Sequence, residues 1–253
     1  MLAHEDYELR LLVDPNLVLD GEGEPSGEIR DILGLGERQE IAMQFLDTAR
    51  LDLDGAGWLV RVRAFSDEPK TQFTFKRRYP VDDDLDAVLA QAAQDGFADD
   101  SAQYEAQIEW GLERRVLSVS LKLEKDLGEG DSLALPGEGK FRELCVALAP
   151  DRLKAEVGEA WLSDVFACAH RYGPARGDRW KGESAAGGKL SVEVWSLRGV
   201  PGEPREMLVE VSAKEKKRGD ARDRQEALRD LLDSNGWLLN RDVLKTRLVL
   251  ERY

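Results

Sequence analysis

Between Met43 and Arg78 the chain sets out three strand-like runs in succession, and two of them carry a cation at every second position. The stretch reads Met-Gln-Phe-Leu-Asp-Thr-Ala-Arg-Leu-Asp-Leu, a turn at Gly57, Trp-Leu-Val-Arg-Val-Arg, a polar loop, and Gln-Phe-Thr-Phe-Lys-Arg-Arg. In a strand, residues i and i+2 share a face. Arg61 and Arg63 therefore point one way, and Thr74, Lys76 and Arg78 share a face opposite Phe73 and Phe75. A basic stripe repeated on adjacent strands makes a surface that holds negative charge.

The same alternation continues along the chain. Strands are expected at Asp6–Val13, Glu40–Asp47, Trp58–Phe65 and Gln72–Tyr79, then in a hairpin of Ala102–Trp110 and Arg115–Glu124. Further strands are expected at Lys189–Leu197, Met207–Lys216 and, last, Leu244–Arg252. Helical spacing marks Asp83–Gln94, Lys140–Leu148, Asp151–His170 and Arg222–Leu232, the last ended by Asn235-Gly236. Asp14–Arg38 reads as a loop with a short helical turn. Tyr172–Gly188 reads as a turn-rich connector whose Arg176 and Arg179 either close one mouth of the sheet or belong to a structural turn.

One face of nearly every strand is charged: Asp6, Glu8 and Arg10 on the first; Arg61 and Arg63; Lys76 and Arg78; Glu105, Gln107 and Glu109. Later strands add Ser118, Ser120, Lys122 and Glu124, then Ser191 and Glu193, then Glu210, Ser212, Lys214 and Lys216, and finally Lys245 and Arg247. The opposite faces are apolar. Two geometries satisfy this: an open sheet with its polar face in water, or a closed sheet with that face inward and helices covering the outside. With about eight strands, mostly in meander order, and no internal break, residues 1–253 are expected to form one α+β domain.

Bulk composition narrows the function. At 42% hydrophobic and 34% charged residues, a soluble chain with a real core is expected. A net charge of −14 argues against general nucleic-acid binding, which needs a broad positive footprint. It leaves room for a local basic pocket, because the field in a cleft is set by its own lining. Acidic runs such as Asp82–Asp86 and Asp95–Asp100 read as solvated surface. The two cysteines, Cys145 and Cys168, read as reduced core residues, and His4 and His170 are too few for a histidine-based triad or zinc site. No leader pattern or membrane-spanning stretch stands out, so a cytoplasmic protein is expected.

Four segments together resemble the CYTH family, the triphosphate tunnel metalloenzymes. They are Asp6-Tyr-Glu8-Leu-Arg10, Phe45-Leu46-Asp47-Thr48, the Arg61-Val62-Arg63 strand and Thr74-Phe75-Lys76, in the family's order and at about its spacing. The resemblance is closest from Asp6 to Lys76 and resumes near Glu210 and Lys245. It implies the closed arrangement: an antiparallel β-barrel tunnel of about eight strands with helices packed outside.

By the same resemblance Asp6 and Glu8 match metal-side acids, and Arg10 stands at the motif's phosphate-contacting lysine. Arg61, Arg63 and Lys76 match phosphate-gripping cations, Glu210 the first acid of the late Glu-x-Glu strand, and Lys245 the cation of the last strand. Arg78, Lys122 and Arg247 extend the cationic set by strand parity. Ser212 replaces the second late acid, and Glu193, Glu105 or Glu109 stand ready to compensate.

Cations in such a tunnel hold a triphosphate through charge-assisted hydrogen bonds. Carboxylates beside it call for a divalent cation, Mg²⁺ or Mn²⁺, on Asp6, Glu8, Glu193 and Glu210. The expected function is metal-dependent hydrolysis of an inorganic or organic triphosphate or polyphosphate, with Glu8, Arg10 and Glu210 central to catalysis. The alternatives are a class IV adenylyl cyclase and a non-catalytic binder of phosphorylated ligands. A monomer or homodimer is expected, with no nucleic-acid or membrane partner.

Overall fold

The computed structural model describes residues 5–82, 84–98, 103–127, 132–184 and 188–253. His4, Asp83, Asp99, Asp100 and Ala102, which figure in the sequence reading, lie outside the described residues. Nine strands run in chain order: β1 (Glu5–Val13), β2 (Arg38–Asp47), β3 (Trp58–Phe65), β4 (Thr71–Val81), β5 (Glu105–Trp110), β6 (Arg115–Lys125), β7 (His170–Ser184), β8 (Gly188–Leu197) and β9 (Glu206–Glu215). They close into a barrel in the order β1-β5-β6-β4-β3-β2-β7-β8-β9, with β9 returning to β1. The count is nine rather than about eight, and β1 pairs with β5 in parallel, so the barrel is mixed rather than wholly antiparallel.

Helices cover the outside and one end. They are α1 (Pro15–Val18), α2 (Gly27–Leu33), α3 (Asp52–Gly55), α4 (Leu85–Ala92), α5 (Glu138–Leu148), α6 (Asp151–Val157), α7 (Glu159–Cys168), α8 (Arg218–Ser234) and α9 (Lys245–Arg252). The outward-facing Val60, Val62, Phe73, Phe75, Val119, Val192 and Val211 are all buried in one continuous core beneath these helices. In α8, Ala221, Gln225, Leu228 and Leu232 recur at helical spacing and are the buried positions, while the charged residues between them face solvent. Gly158, at φ +86°, separates α6 from α7 and breaks the expected long helix Asp151–His170 in two. Cys145 is buried, whereas Cys168 is exposed rather than in the core; both are free thiols. No helix among the described residues is long and apolar enough to cross a membrane.

Two expected elements change identity. Gly188 opens β8, and the expected connector from Tyr172 to Ser184 is part of the long strand β7, paired with β2 on one side and β8 on the other. Its glycines are there for close approach. A Cβ at Gly177 would lie 2.6 Å from the Val194 carbonyl oxygen, and one at Gly182 would lie 2.3 Å from that of Leu33. The expected final strand Leu244–Arg252 is the helix α9. Every strand of the barrel already has two neighbours, so no edge is left for a tenth. Thr246, Val249 and Leu250 are buried at helical spacing instead.

α9 closes one end of the barrel. Val249 and Leu250 pack against Leu12, Phe45, Leu59, Trp195, Leu197 and Leu208, which point inward near that end. The segment leading into α9 is pinned by Asp242, whose carboxylate accepts the backbone N–H groups of Leu112 (2.7 Å), Glu113 (2.8 Å) and Arg114 (2.8 Å) in the β5–β6 turn. Gly111 leaves room for that carboxylate, since a Cβ there would meet an oxygen of Asp242 at 2.5 Å.

Candidate active site

The charged strand faces turn inward and line a cavity of about 1370 Å³. Its walls differ. Glu8, Arg10, Arg61, Arg63, Lys76, Arg78, Glu109, Glu193 and Glu210 form the polar lining, while Leu12, Met43, Phe45 and Phe65 make an apolar stretch beside it. The arrangement follows from register. Met43 pairs with Arg63 and Phe45 with Arg61, so the apolar face of β2 lies directly beside the cationic face of β3.

The four inward glutamates are neutralised by cations of the chain itself. Glu109 accepts hydrogen bonds from Lys76 Nζ (2.6 Å), Arg10 Nη1 (2.9 Å) and Ser118 Oγ (2.7 Å). Burial disfavours its charge, but Arg10, Lys76 and Arg78 outweigh that and hold its carboxyl well below the usual range. Glu8 pairs with Arg10. Glu193 accepts from Arg179 Nη2 (2.9 Å), Trp195 Nε1 (2.9 Å) and Lys245 Nζ (2.5 Å). Burial again opposes its charge, and Lys245, Arg63 and Arg179 overcome it, so its carboxyl too sits well below the usual range. Glu210 lies directly across from Glu193 in the β8–β9 register, and its Oε1 is 3.5 Å from Lys245 Nζ.

The cations are not matched in the same way. Among the described residues, Arg61, Arg63 and Arg78 line the cavity with no ion pair. Arg61 reaches only Thr74 Oγ1, at 3.4 Å, and Arg78 reaches Thr246 Oγ1 of α9, at 3.2 Å. The Nε atoms of all three are buried without a hydrogen-bond acceptor. Burial, followed by repulsion from Arg63, Arg78 and Arg10, pushes the Arg61 guanidinium well below its usual pKa. Burial and the neighbouring arginines bring Lys76 down to about 8 against the pull of Glu109. A cluster of desolvated cations of this kind has an unfilled requirement for anionic oxygens.

The sequence-derived residues sort into three groups. Glu8, Arg10, Arg61, Arg63, Lys76, Arg78, Glu193, Glu210 and Lys245 share the cavity, and Lys122 reaches its edge, paired with Glu105. Asp6 is exposed and does not line it. Arg247 points away: it is 56% exposed and paired with Glu251 and Asp54, because α9 is a helix and the strand parity that joined it to Lys245 does not apply. Arg179 enters the cavity from β7, while Arg176 is exposed. Glu109, named from sequence only as a possible substitute, accepts three hydrogen bonds in the cavity. Its signal was visible as strand parity, but its three partners come from β1, β4 and β6.

No protein-family model matches the chain, and no curated protein matches it. Solved structures do. A Hippeastrum protein, described as a candidate adenylyl cyclase with a dominant triphosphatase activity, is 15% identical with a TM-score of 0.56, over 98% of this chain and 100% of that one. A candidate adenylate cyclase from Bacillus halodurans is 13% identical with a TM-score of 0.52, over 98% of each chain. The chain shares the fold of these two structures, a closed β-barrel with helices packed outside.

Proposed function

We propose that this chain is a triphosphatase that takes the phosphates of an inorganic or organic triphosphate into its barrel and hydrolyses them with the help of Mg²⁺ or Mn²⁺. The observation that carries the reading is the set of three half-buried arginines, Arg61, Arg63 and Arg78, on two adjacent strands, whose buried Nε atoms have no acceptor and which have no carboxylate partner among the described residues. A triphosphate supplies several anionic oxygens over the span of such a set. Guanidinium groups hold them in forked, charge-assisted pairs.

The acids fit a divalent cation in one particular way. Glu109 and Glu193 have both oxygens engaged, but Glu8 and Glu210 each keep one oxygen without a partner among the described residues. Mg²⁺ is commonly held by one or two carboxylates and completed by substrate phosphates rather than by an all-protein cage. This agrees with the finding that, among the described residues, no three acidic or histidine side chains converge on one point. Glu8 and Glu210, which the β1–β9 register sets four residues apart, would each give such an ion one carboxylate ligand, and the bound ion would supply charge neutralisation between carboxylate and phosphate.

The rest of the work falls to the chain. Arg61, Arg63, Arg78 and Lys76 bind and orient the phosphates, and Glu109 holds Lys76 and Arg10 in place. α9 shuts one end against water, and the apolar stretch of Met43, Phe45 and Phe65 keeps the local dielectric low, strengthening each charge contact. The reading extends to a single domain over residues 1–253, cytoplasmic, monomeric or homodimeric, with no nucleic-acid or membrane partner.

A second reading has its own support. The four inward glutamates, Glu8, Glu109, Glu193 and Glu210, are each already paired with a cation, and Ser212 stands where a further acid is expected, which favours a non-catalytic binder of phosphorylated ligands. The test is a phosphate-release panel on tripolyphosphate, ATP and thiamine triphosphate with Mg²⁺ or Mn²⁺, with EDTA controls and an assay for cyclic AMP. Release that EDTA abolishes and metal restores supports the triphosphatase. Tight binding without turnover under either metal supports the binder, and cyclic AMP from ATP points to a cyclase.

A further inference from the structure

Lys245 sits in a socket built for a cation. Its Nζ lies 2.5 Å from Glu193 Oε2 and 3.5 Å from Glu210 Oε1, two carboxylates directly opposed across β8 and β9. The indole ring of Trp195 lies beneath it, with the ammonium 4.6 Å from a ring centroid. Trp195 Nε1 at the same time donates to Glu193 Oε2 at 2.9 Å, which fixes the carboxylate that the lysine contacts. The lysine arrives from α9 rather than from the barrel wall, three residues after the Asp242 anchor.

Two carboxylates side by side in a desolvated cavity repel unless a cation lies between them. In this protein that cation is part of the chain. We propose that Lys245 is a tethered counter-cation that occupies the Glu193–Glu210 pair in the ligand-free protein and competes at Glu210 with the divalent ion. This rests on the triphosphatase reading for the identity of the incoming metal. Metal alone then meets an occupied, electrostatically satisfied site. A triphosphate held by Arg61, Arg63 and Arg78 offers Lys245 an alternative partner, and its departure uncovers Glu210. Metal and triphosphate therefore enter together, each raising the affinity for the other.

The experiment is Mn²⁺ binding without any phosphate, read by the electron-spin resonance of free Mn²⁺ and by calorimetry, on wild type, K245M, K245Q and K245R. The neutral variants are expected to bind Mn²⁺ at least about tenfold more tightly than wild type. K245R, which keeps the charge, is expected to stay weak, and K245M/E210Q to lose the gain. Circular dichroism and thermal melting check each fold, and either neutral variant suffices if the other does not fold. Mn²⁺ affinity in folded K245M or K245Q equal to or below that of wild type overturns the proposal, as does an equal gain in K245R. Tripolyphosphate binding to wild type, titrated separately, reports on the triphosphatase reading alone, so either idea can fail without the other.

Discussion

Lys76 and Glu109 meet at 2.6 Å inside the barrel, the lysine from β4 and the acid from β5, with β6 between them. The pair is buried on both sides, and it ties the phosphate-facing wall to the wall that carries Arg10.

Its loss has a defined cost. Glu109→Gln removes one charge from a desolvated network, leaving Lys76 without its carboxylate and Arg10 with Glu8 alone. Stability should fall by about 3–5 kcal/mol, measured by urea unfolding. An unchanged midpoint would show that the pair is already solvated.

Lys76 gives binding a pH dependence. Its pKa is lowered to about 8 by burial and by the neighbouring arginines, against about 10.4 in an unfolded chain. Between those values the unfolded state holds more protons, so this group makes the ligand-free fold more stable as pH rises from about 8 to about 10. Triphosphate favours the charged form, so binding above pH 8 takes up a proton and weakens as pH rises. Calorimetry of tripolyphosphate in buffers of different ionisation enthalpy should detect that uptake at pH 8.5, and Lys76→Arg should abolish it.

Arg61 separates function from stability. Arg61→Met removes a half-buried cation that has no ion pair among the described residues and that Arg63, Arg78 and Arg10 repel. Triphosphate affinity should fall on the order of a hundredfold, while ligand-free stability rises by about 1 kcal/mol. A drop in both would mean that Arg61 serves the fold rather than the ligand.

Glu8→Gln and Glu210→Gln test the metal assignment. Each should lower phosphate release on the order of a hundredfold. Tripolyphosphate affinity should change far less, since removing a carboxylate also removes repulsion of the phosphates. Wild-type turnover in both variants would exclude the two acids from the site.

Asp242→Ala releases three backbone N–H groups and the segment that leads into α9. A loss of about 2 kcal/mol is expected. The accompanying loss of triphosphate affinity should vanish in a Lys245→Ala background, if Asp242 acts by holding that lysine in the cavity. Equal effects in both backgrounds would show that the anchor serves stability alone.

The sequence by itself determined the parity of the barrel strands. Alternation placed Glu8 with Arg10, Arg61 with Arg63, and Lys76 with Arg78 on single faces, and a period of two leaves no freedom in that assignment. The order of the motifs added the resemblance to a tunnel fold. What alternation does not encode is the direction in which a sheet curls, since inside and outside exchange without changing any local period. The tertiary structure decided that the charged face turns inward, because the apolar face is the one the helices can cover. β7 was hidden for a related reason: its glycines resemble turn signals, yet they are there to admit Val194, Trp195 and Leu33 at close range. α9 was hidden because Leu244–Arg252 fits both periods, and only a closed barrel with no edge rules out the strand. The ion pairs that define the site, Glu109 with Lys76 and Glu193 with Lys245, join residues 33 and 52 positions apart. No local signal reports such contacts, because the partners are chosen by barrel closure and by the entry of α9, not by their neighbours along the chain.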